Sequence, residues 1–237
     1  MPTVLLVRHG RTTANAQGLL AGRAAGVRLD AVGRRQAEQA GRRLAGLALA
    51  AVVTSPLERC RQTTRILLEH QDGTPETTVE RGITECDYGE WQGRALKELA
   101  AEPLWKVVQA QPSAVTFPGG ESMLEMQARS VAAVRRHDER VRARHGDRAV
   151  WAAVAHGDVI KSVLADALGM HLDLFQRIAV GPASISVVRF GASRPEVVAM
   201  NTDAGELRWL AAAAPAADAP VGGGAGQGTD DVTSPAS

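Results

Sequence analysis

Three short apolar runs, at residues 3–7, 50–54 and 149–155, each stop at a polar or glycine-bearing corner and give way to a helical period. A run that is apolar throughout, without alternation, fits a strand buried on both faces. Such strands belong to parallel sheets covered by helices on both sides. After Asp30, a good N-cap, Ala37, Ala40, Leu44 and Leu47 recur at helical spacing. Pro56 predicts the first helical position of a second helix over 57–70. Residues 81–94 carry glycines and no clear period, which predicts a loop. A long helix is expected over 121–144, with Met123, Met126, Val134, His137 and Val141 on one stripe, and another over 159–168, closed by Gly169. Two further strands, at 184–190 and 196–200, are joined through a turn containing glycine. This order predicts an α/β fold: a three-layer sandwich with a mainly parallel central sheet.

The chain of 237 residues suits one large domain or two small ones. From residue 211 to 237 the composition shifts: seventeen of 27 residues are Ala, Gly or Pro, and Leu, Ile, Phe and Met are absent. Such a segment buries too little apolar surface to offset its ordering entropy, so 211–237 is expected to be a disordered tail behind a domain spanning 1–210. Residues 222–228 are glycine-rich but lack a following Lys-Ser/Thr, so they read as tail rather than as a phosphate loop. Basic and acidic residues nearly cancel, 27 against 26. That balance argues against a nucleic-acid binder and against a polybasic membrane anchor. The longest nearly apolar run, 44–53, is far shorter than the ~18 residues of a membrane span. The first ten residues have no basic stretch and only four apolar residues before Arg8, so no secretory leader is expected. Cys60 and Cys86 make no disulfide framework. The expectation is a soluble cytoplasmic protein.

In parallel sheets, ligands bind beyond the carboxyl ends of the strands. The first run ends in Arg8-His9-Gly10, the second leads through Ser55-Pro56 to Arg59, and the third ends in His156-Gly157. Three strands thus bring two arginines and two histidines to one edge. Arginine offers a permanently charged fork that matches phosphate oxygens. A neutral histidine is a nucleophile, and a protonated one stabilises the oxygens of a transferring phosphoryl group. Gly10 and Gly157 are expected to let a ligand approach the backbone, and the helix N-termini add positive potential.

Residues 4–15, VLLVRHGRTTAN, resemble the N-terminal signature of the histidine phosphatase superfamily, the phosphoglycerate-mutase-like proteins, whose pattern Arg-His-Gly-x-Thr-x-x-Asn is met by Arg8, His9, Gly10, Thr12 and Asn15. Further likenesses follow in order: 29–44 resembles the family's first helix, 54–63 its Ser-Pro-x-x-Arg segment, 83–93 its acid-bearing segment, 117–122 (FPGGES) its phosphatase branch, and 154–160 the second-histidine segment. The likeness spans 3 to about 205. It implies a phosphoglycerate mutase-like fold and a metal-independent phosphomonoester hydrolase acting on a small phosphate ester. His9 would be the nucleophile, and Arg8, Arg59 and His156 would complete the phosphate pocket with Asn15 at its rim. Glu85 would be the proton donor and then the base that activates water, with Asp87 and Glu90 in the same loop as alternatives. The insertion at about 94–122 would form the substrate lid, partly apolar through Leu104, Trp105, Val107 and Val108.

No His-Glu-x-x-His, Cys-x-x-Cys or spaced acidic cluster calls for a metal, and no cofactor is expected. The nearest rival is a mutase, but that branch has Trp where Ala14 stands, Arg where Cys86 stands, and a longer basic insertion that is lacking between Arg94 and Phe117. A binding protein on a retired catalytic fold is a third reading; the presence of every expected catalytic residue argues against it. Arg11 reads as a solvated arginine rather than a substrate contact. Asp158 reads as the N-cap of the helix from Val159, with a secondary reading as a selector against heavily anionic substrates. The arginine run from Arg135 to Arg148 reads as a solvated helix face, Met123 and Met126 as core fillers, Trp91 as core or pocket wall, and both cysteines as inert buried thiols. A homodimer is the commonest closed assembly for such a chain.

Overall fold

The apolar run behind Arg8 becomes an inner strand of a six-stranded sheet. The computed structural model describes residues 1–191, 193–203 and 222. Its strands are β1 (Thr3–Arg8), β2 (Leu49–Thr54), β3 (Glu76–Val79), β4 (Val150–Ala155), β5 (Ile185–Phe190) and β6 (Pro195–Thr202), in the spatial order β3-β2-β4-β1-β5-β6. Pairing is parallel from β3 through β1 and antiparallel from β1 to β6. The helices are α1 (Thr13–Ala16), α2 (Ala31–Leu44), α3 (Glu58–Leu68), α4 (Leu96–Leu99), α5 (Pro103–Ala110), α6 (Met123–His145) and α7 (Gly157–Ala167).

Alternation along the inner strands assigns the layers. Leu5, Val7, Val52, Ala152 and Val154 pack with Ala40 and Leu44 of α2 and Cys60 and Leu67 of α3 on one face. Val4, Leu6, Val53, Trp151 and Ala153 pack with Met123, Met126 and Val134 of α6 and Val163 and Leu164 of α7 on the other. Hence the strands read as unbroken apolar runs, and the architecture is the expected three-layer sandwich with a mainly parallel central sheet.

Four local readings change. Pro56 precedes the N-cap Leu57 rather than occupying the first helical position. Leu47 lies beyond the end of α2 and is exposed. The loop expected over 81–94 holds two single-turn 3-10 helices, Arg81–Ile83 and Gly89–Trp91. The edge strand β3 was unannounced, because Glu76-Thr77-Thr78-Val79 has no apolar face. The long helix is as expected, with all five stripe residues buried. Its N-terminus is fixed by a capping box between Ser122 and Glu125. Its exposed side is laced by ion pairs, Arg135–Asp166, Arg136–Glu80 and Arg144–Glu76. Leu99, Val108, Val115 and Phe117 are buried in the main core, so the 94–122 insertion is part of the body. The expected tail lies outside the described residues except Gly222. No described helix is long and apolar enough to cross a membrane.

Candidate active site

The carboxyl ends of β1, β2 and β4 adjoin because β4 inserts between the other two. His9 and His156 therefore meet edge to face, with ring centroids 5.3 Å apart. His9 Nδ1 lies 2.7 Å from the Gly10 carbonyl, an acceptor only, so Nδ1 carries the proton. The lone pair is left on Nε2, to which Arg59 Nε donates at 3.2 Å. Burial, followed by the charges of Arg59 and Arg8, holds the His9 pKa well below the usual imidazole value. The ring is thus neutral, with one fixed tautomer and a nucleophilic nitrogen whose lone pair accepts from Arg59.

Arg59 sits on the first turn of α3 and is fully enclosed. Its Nη2 donates to Gly22 O at 2.7 Å, while Nη1 has no hydrogen-bond partner among the described residues. A buried guanidinium N–H without an acceptor beside a nucleophilic nitrogen is a vacancy suited to an anionic oxygen. Arg8 Nη1 donates to Val180 O at 2.8 Å. Burial brings the Arg8 pKa down to about 10, which leaves it protonated at neutral pH. His156 Nε2 and Ser55 Oγ are 2.7 Å apart, and His156 Nδ1 lies 3.9 Å from Glu85 Oε2. Burial, then Arg59, His9 and Arg8, depresses the His156 pKa as well. An anion bound between these groups would reverse that electrostatic balance and favour the imidazolium.

Glu85 is buried at the pocket wall, and its Oε1 accepts from Cys86 N–H at 3.0 Å. Desolvation, reinforced by the negative charge of Asp158, raises its pKa to about 7. The alternatives in this loop are otherwise placed: Asp87 pairs with Arg23, and Glu90 is exposed. The Glu85 backbone is clamped by Arg23 Nε, 2.9 Å from its carbonyl oxygen, and by Arg129 Nη2 at 3.2 Å. Glu121 holds both arginines: its Oε1 accepts from Arg23 Nη2 and Oε2 from Arg129 Nε, each at 2.9 Å. A Cβ on Gly120 would lie 2.2 Å from Asp87 O, so the Gly-Gly of 117–122 lets this segment close on the acid loop.

His9, Asn15, Arg59 and Glu85 line one pocket with Thr12, Leu20, Gly22, Tyr88, Leu96 and Gly222. Asn15 closes a capping box with Thr12 at the start of α1, its Oδ1 accepting from the Thr12 N–H and hydroxyl. Gly10 serves backbone packing: a Cβ there would meet Gly33 O at 2.2 Å. Gly157 is the first residue of α7. Arg11 is neither solvated nor turned to the pocket, since its Nε pairs with Asp30 Oδ2 at 2.8 Å. Asp158 is not the N-cap of α7. His156 occupies that position, and Asp158 is buried in the first turn, accepting from Tyr88 OH at 2.7 Å. Ser55, Tyr88, Arg23, Glu121 and Arg129 escaped the sequence reading, because each acts through a partner far along the chain. Trp91 is core, against Trp105 and Phe117. Both thiols are buried, and burial raises the Cys60 pKa to about 12. Among the described residues no group of three or more His, Cys, Asp or Glu is placed to hold a metal.

Residues 4–203 match the model of a family described as the histidine phosphatase superfamily, branch 1. The "Bifunctional protein" of Mycobacterium tuberculosis is 31% identical over 206 residues, covering 86% of this chain and 54% of that protein. The chain thus spans about half the length of that curated relative. A Klebsiella pneumoniae protein named "Probable phosphoglycerate mutase GpmB" is 31% identical over 196 residues, 81% of this chain and 87% of its own. Among solved structures, a mycobacterial glucosyl-3-phosphoglycerate phosphatase superposes with a TM-score of 0.73 at 24% identity, covering 85% of this chain and 99% of that one.

Proposed function

The chain belongs to the histidine phosphatase superfamily, branch 1, and from that premise we propose that it is a metal-independent phosphomonoester hydrolase working through a phosphohistidine at His9. The observation that carries this reading is the His9–Arg59 pair: a neutral imidazole with its proton fixed on Nδ1, beside a buried guanidinium N–H that awaits an acceptor.

In this reading the phosphate of a small ester sits against Arg8, Arg59 and His156, with the phosphorus in line with His9 Nε2. The Nε2 lone pair forms the P–N bond as the P–O bond to the leaving group breaks, and the Glu85 carboxyl protonates the departing oxygen. The Glu85 carboxylate then takes a proton from water as its oxygen attacks phosphorus, and the P–N electron pair returns to His9. The arginines supply the positive charge that a metal would otherwise bring. Leu96, the insertion residue that lines the pocket, would serve as part of the substrate lid over 94–122. The mutase reading shares the first half-reaction and is favoured by the relative named as a mutase; Ala14 and Cys86 stand against it.

Phosphate release from p-nitrophenyl phosphate in EDTA is expected for the wild type and is expected to be lost in His9→Ala. Turnover retained by the variant would overturn the nucleophile assignment. Phosphoenzyme formation without phosphate release would turn the reading to the mutase.

A further inference from the structure

Asp158 is fully buried, yet its carboxylate is only half used. Oδ2 accepts from Tyr88 OH at 2.7 Å and from Gly222 N–H at 3.0 Å. Oδ1 has no hydrogen-bond partner among the described residues. The nearest cation, Lys161 Nζ, stands 4.0 Å away, held by Gln176 Oε1 at 2.8 Å and lying over the Phe175 ring. Burial also lowers the Lys161 pKa. An ionised carboxylate accepts but never donates, and one left partly unsatisfied in the interior is costly.

Gly222 shows where Oδ2 faces, and a substrate donor read by Asp158 would take the place of the Gly222 N–H. It lines the pocket that holds His9, Arg59 and Glu85; its N–H reaches Asp158, and its carbonyl oxygen comes within 3.5 Å of Arg8 Nη2. The nitrogen and carbonyl oxygen of one residue lie about 3 Å apart. A single small group therefore spans from Arg8 to Asp158. A ligand anchored by phosphate at the arginines would bring atoms two or three bonds from its ester oxygen to the same place.

We propose that Asp158 determines specificity by reading a hydrogen-bond donor on the substrate, so that the preferred class is small phosphate monoesters carrying an ammonium or hydroxyl group two or three bonds from the ester oxygen. A carboxylate or second phosphate in that place meets a buried like charge and is disfavoured. The inference rests on the hydrolase reading and narrows its substrate class.

Three two-carbon esters isolate the effect: O-phosphoethanolamine, 2-hydroxyethyl phosphate and phosphoglycolate present an ammonium, a hydroxyl and a carboxylate at matched positions. With the full chain, kcat/KM for the first two is expected to exceed that for phosphoglycolate by at least about 10-fold, as buried polar recognition allows. Asp158→Asn should bring that ratio to within about threefold. Equal wild-type rates on the three, or an unchanged ratio in a folded Asp158→Asn, would overturn the inference while leaving the hydrolase reading intact. Should the variant not fold, the wild-type ratio alone decides. No release from any ester, p-nitrophenyl phosphate included, would overturn both.

Discussion

The residue proposed as acid and base shows most directly how position sets chemistry. An ordinary glutamate is ionised at neutral pH; Glu85, desolvated and facing Asp158, titrates at about 7. The two tasks proposed for it need opposite protonation states. Transfer to His9 should slow as pH rises through about 7, where the proton donor is lost. Hydrolysis of the phosphoenzyme should slow as pH falls below about 7, where the base is lost. His9, whose pKa lies well below 6.5, stays neutral across this window and adds no limb of its own. Rapid-quench trapping should find phosphoenzyme accumulating on the acid side of 7 and not on the alkaline side. Glu85→Gln should lose the alkaline limb and slow turnover by about 10²–10⁴-fold; an alkaline limb that survives would remove Glu85 from the role. At this scale the gathering of His9, Arg59 and His156 was legible because strand ends alone bring them together, whereas Glu85 came only with the family resemblance. The sequence misled at Asp158. An aspartate at the head of a helix ordinarily caps it, but His156 already occupies the cap and Tyr88 draws the carboxylate inward.

Among elements, the acid loop depends on a segment more than thirty residues later. Glu121 joins Arg23 and Arg129, and these two grip the Glu85 carbonyl. Glu121→Ala removes the acceptor that Arg23, Arg129 and the Asp87 N–H share. We expect kcat to fall about 10-fold, or about 1.4 kcal/mol, with KM little changed, because the contact positions Glu85 and touches no substrate. A rise in KM at constant kcat would count against that role. The elements visible in advance were those buried on both faces, whose uninterrupted apolar runs admit few alternatives. β3 was invisible because an edge strand of Glu, Thr and Val carries no such signal. The clamp was invisible because nothing local in residues 81–94 names a partner at 121 or 129.

At the level of the whole molecule, the insertion that flanks the pocket also builds the body. Leu99, Val108 and Val115 are buried in the same cluster as Trp151 and Met126. Leu99→Ala should lower unfolding stability by about 2–5 kcal/mol, the range for a large core truncation, measured by urea denaturation. A change under about 0.5 kcal/mol would mean the insertion is a separable lid rather than core. Specificity here cannot drift freely by remodelling that segment, because its residues also hold up the sheet. The strand order has a temporal consequence too. β1, which carries His9, pairs with β4 and β5, strands that follow it by more than 140 residues. During synthesis β1 is therefore made long before β4 and β5, the strands that flank it. Pairings so distant in sequence form slowly, because loop closure precedes any reward. An N-terminal fragment ending before β4 would expose an apolar strand with both edges open, a species prone to aggregation that a nascent chain must be kept from becoming.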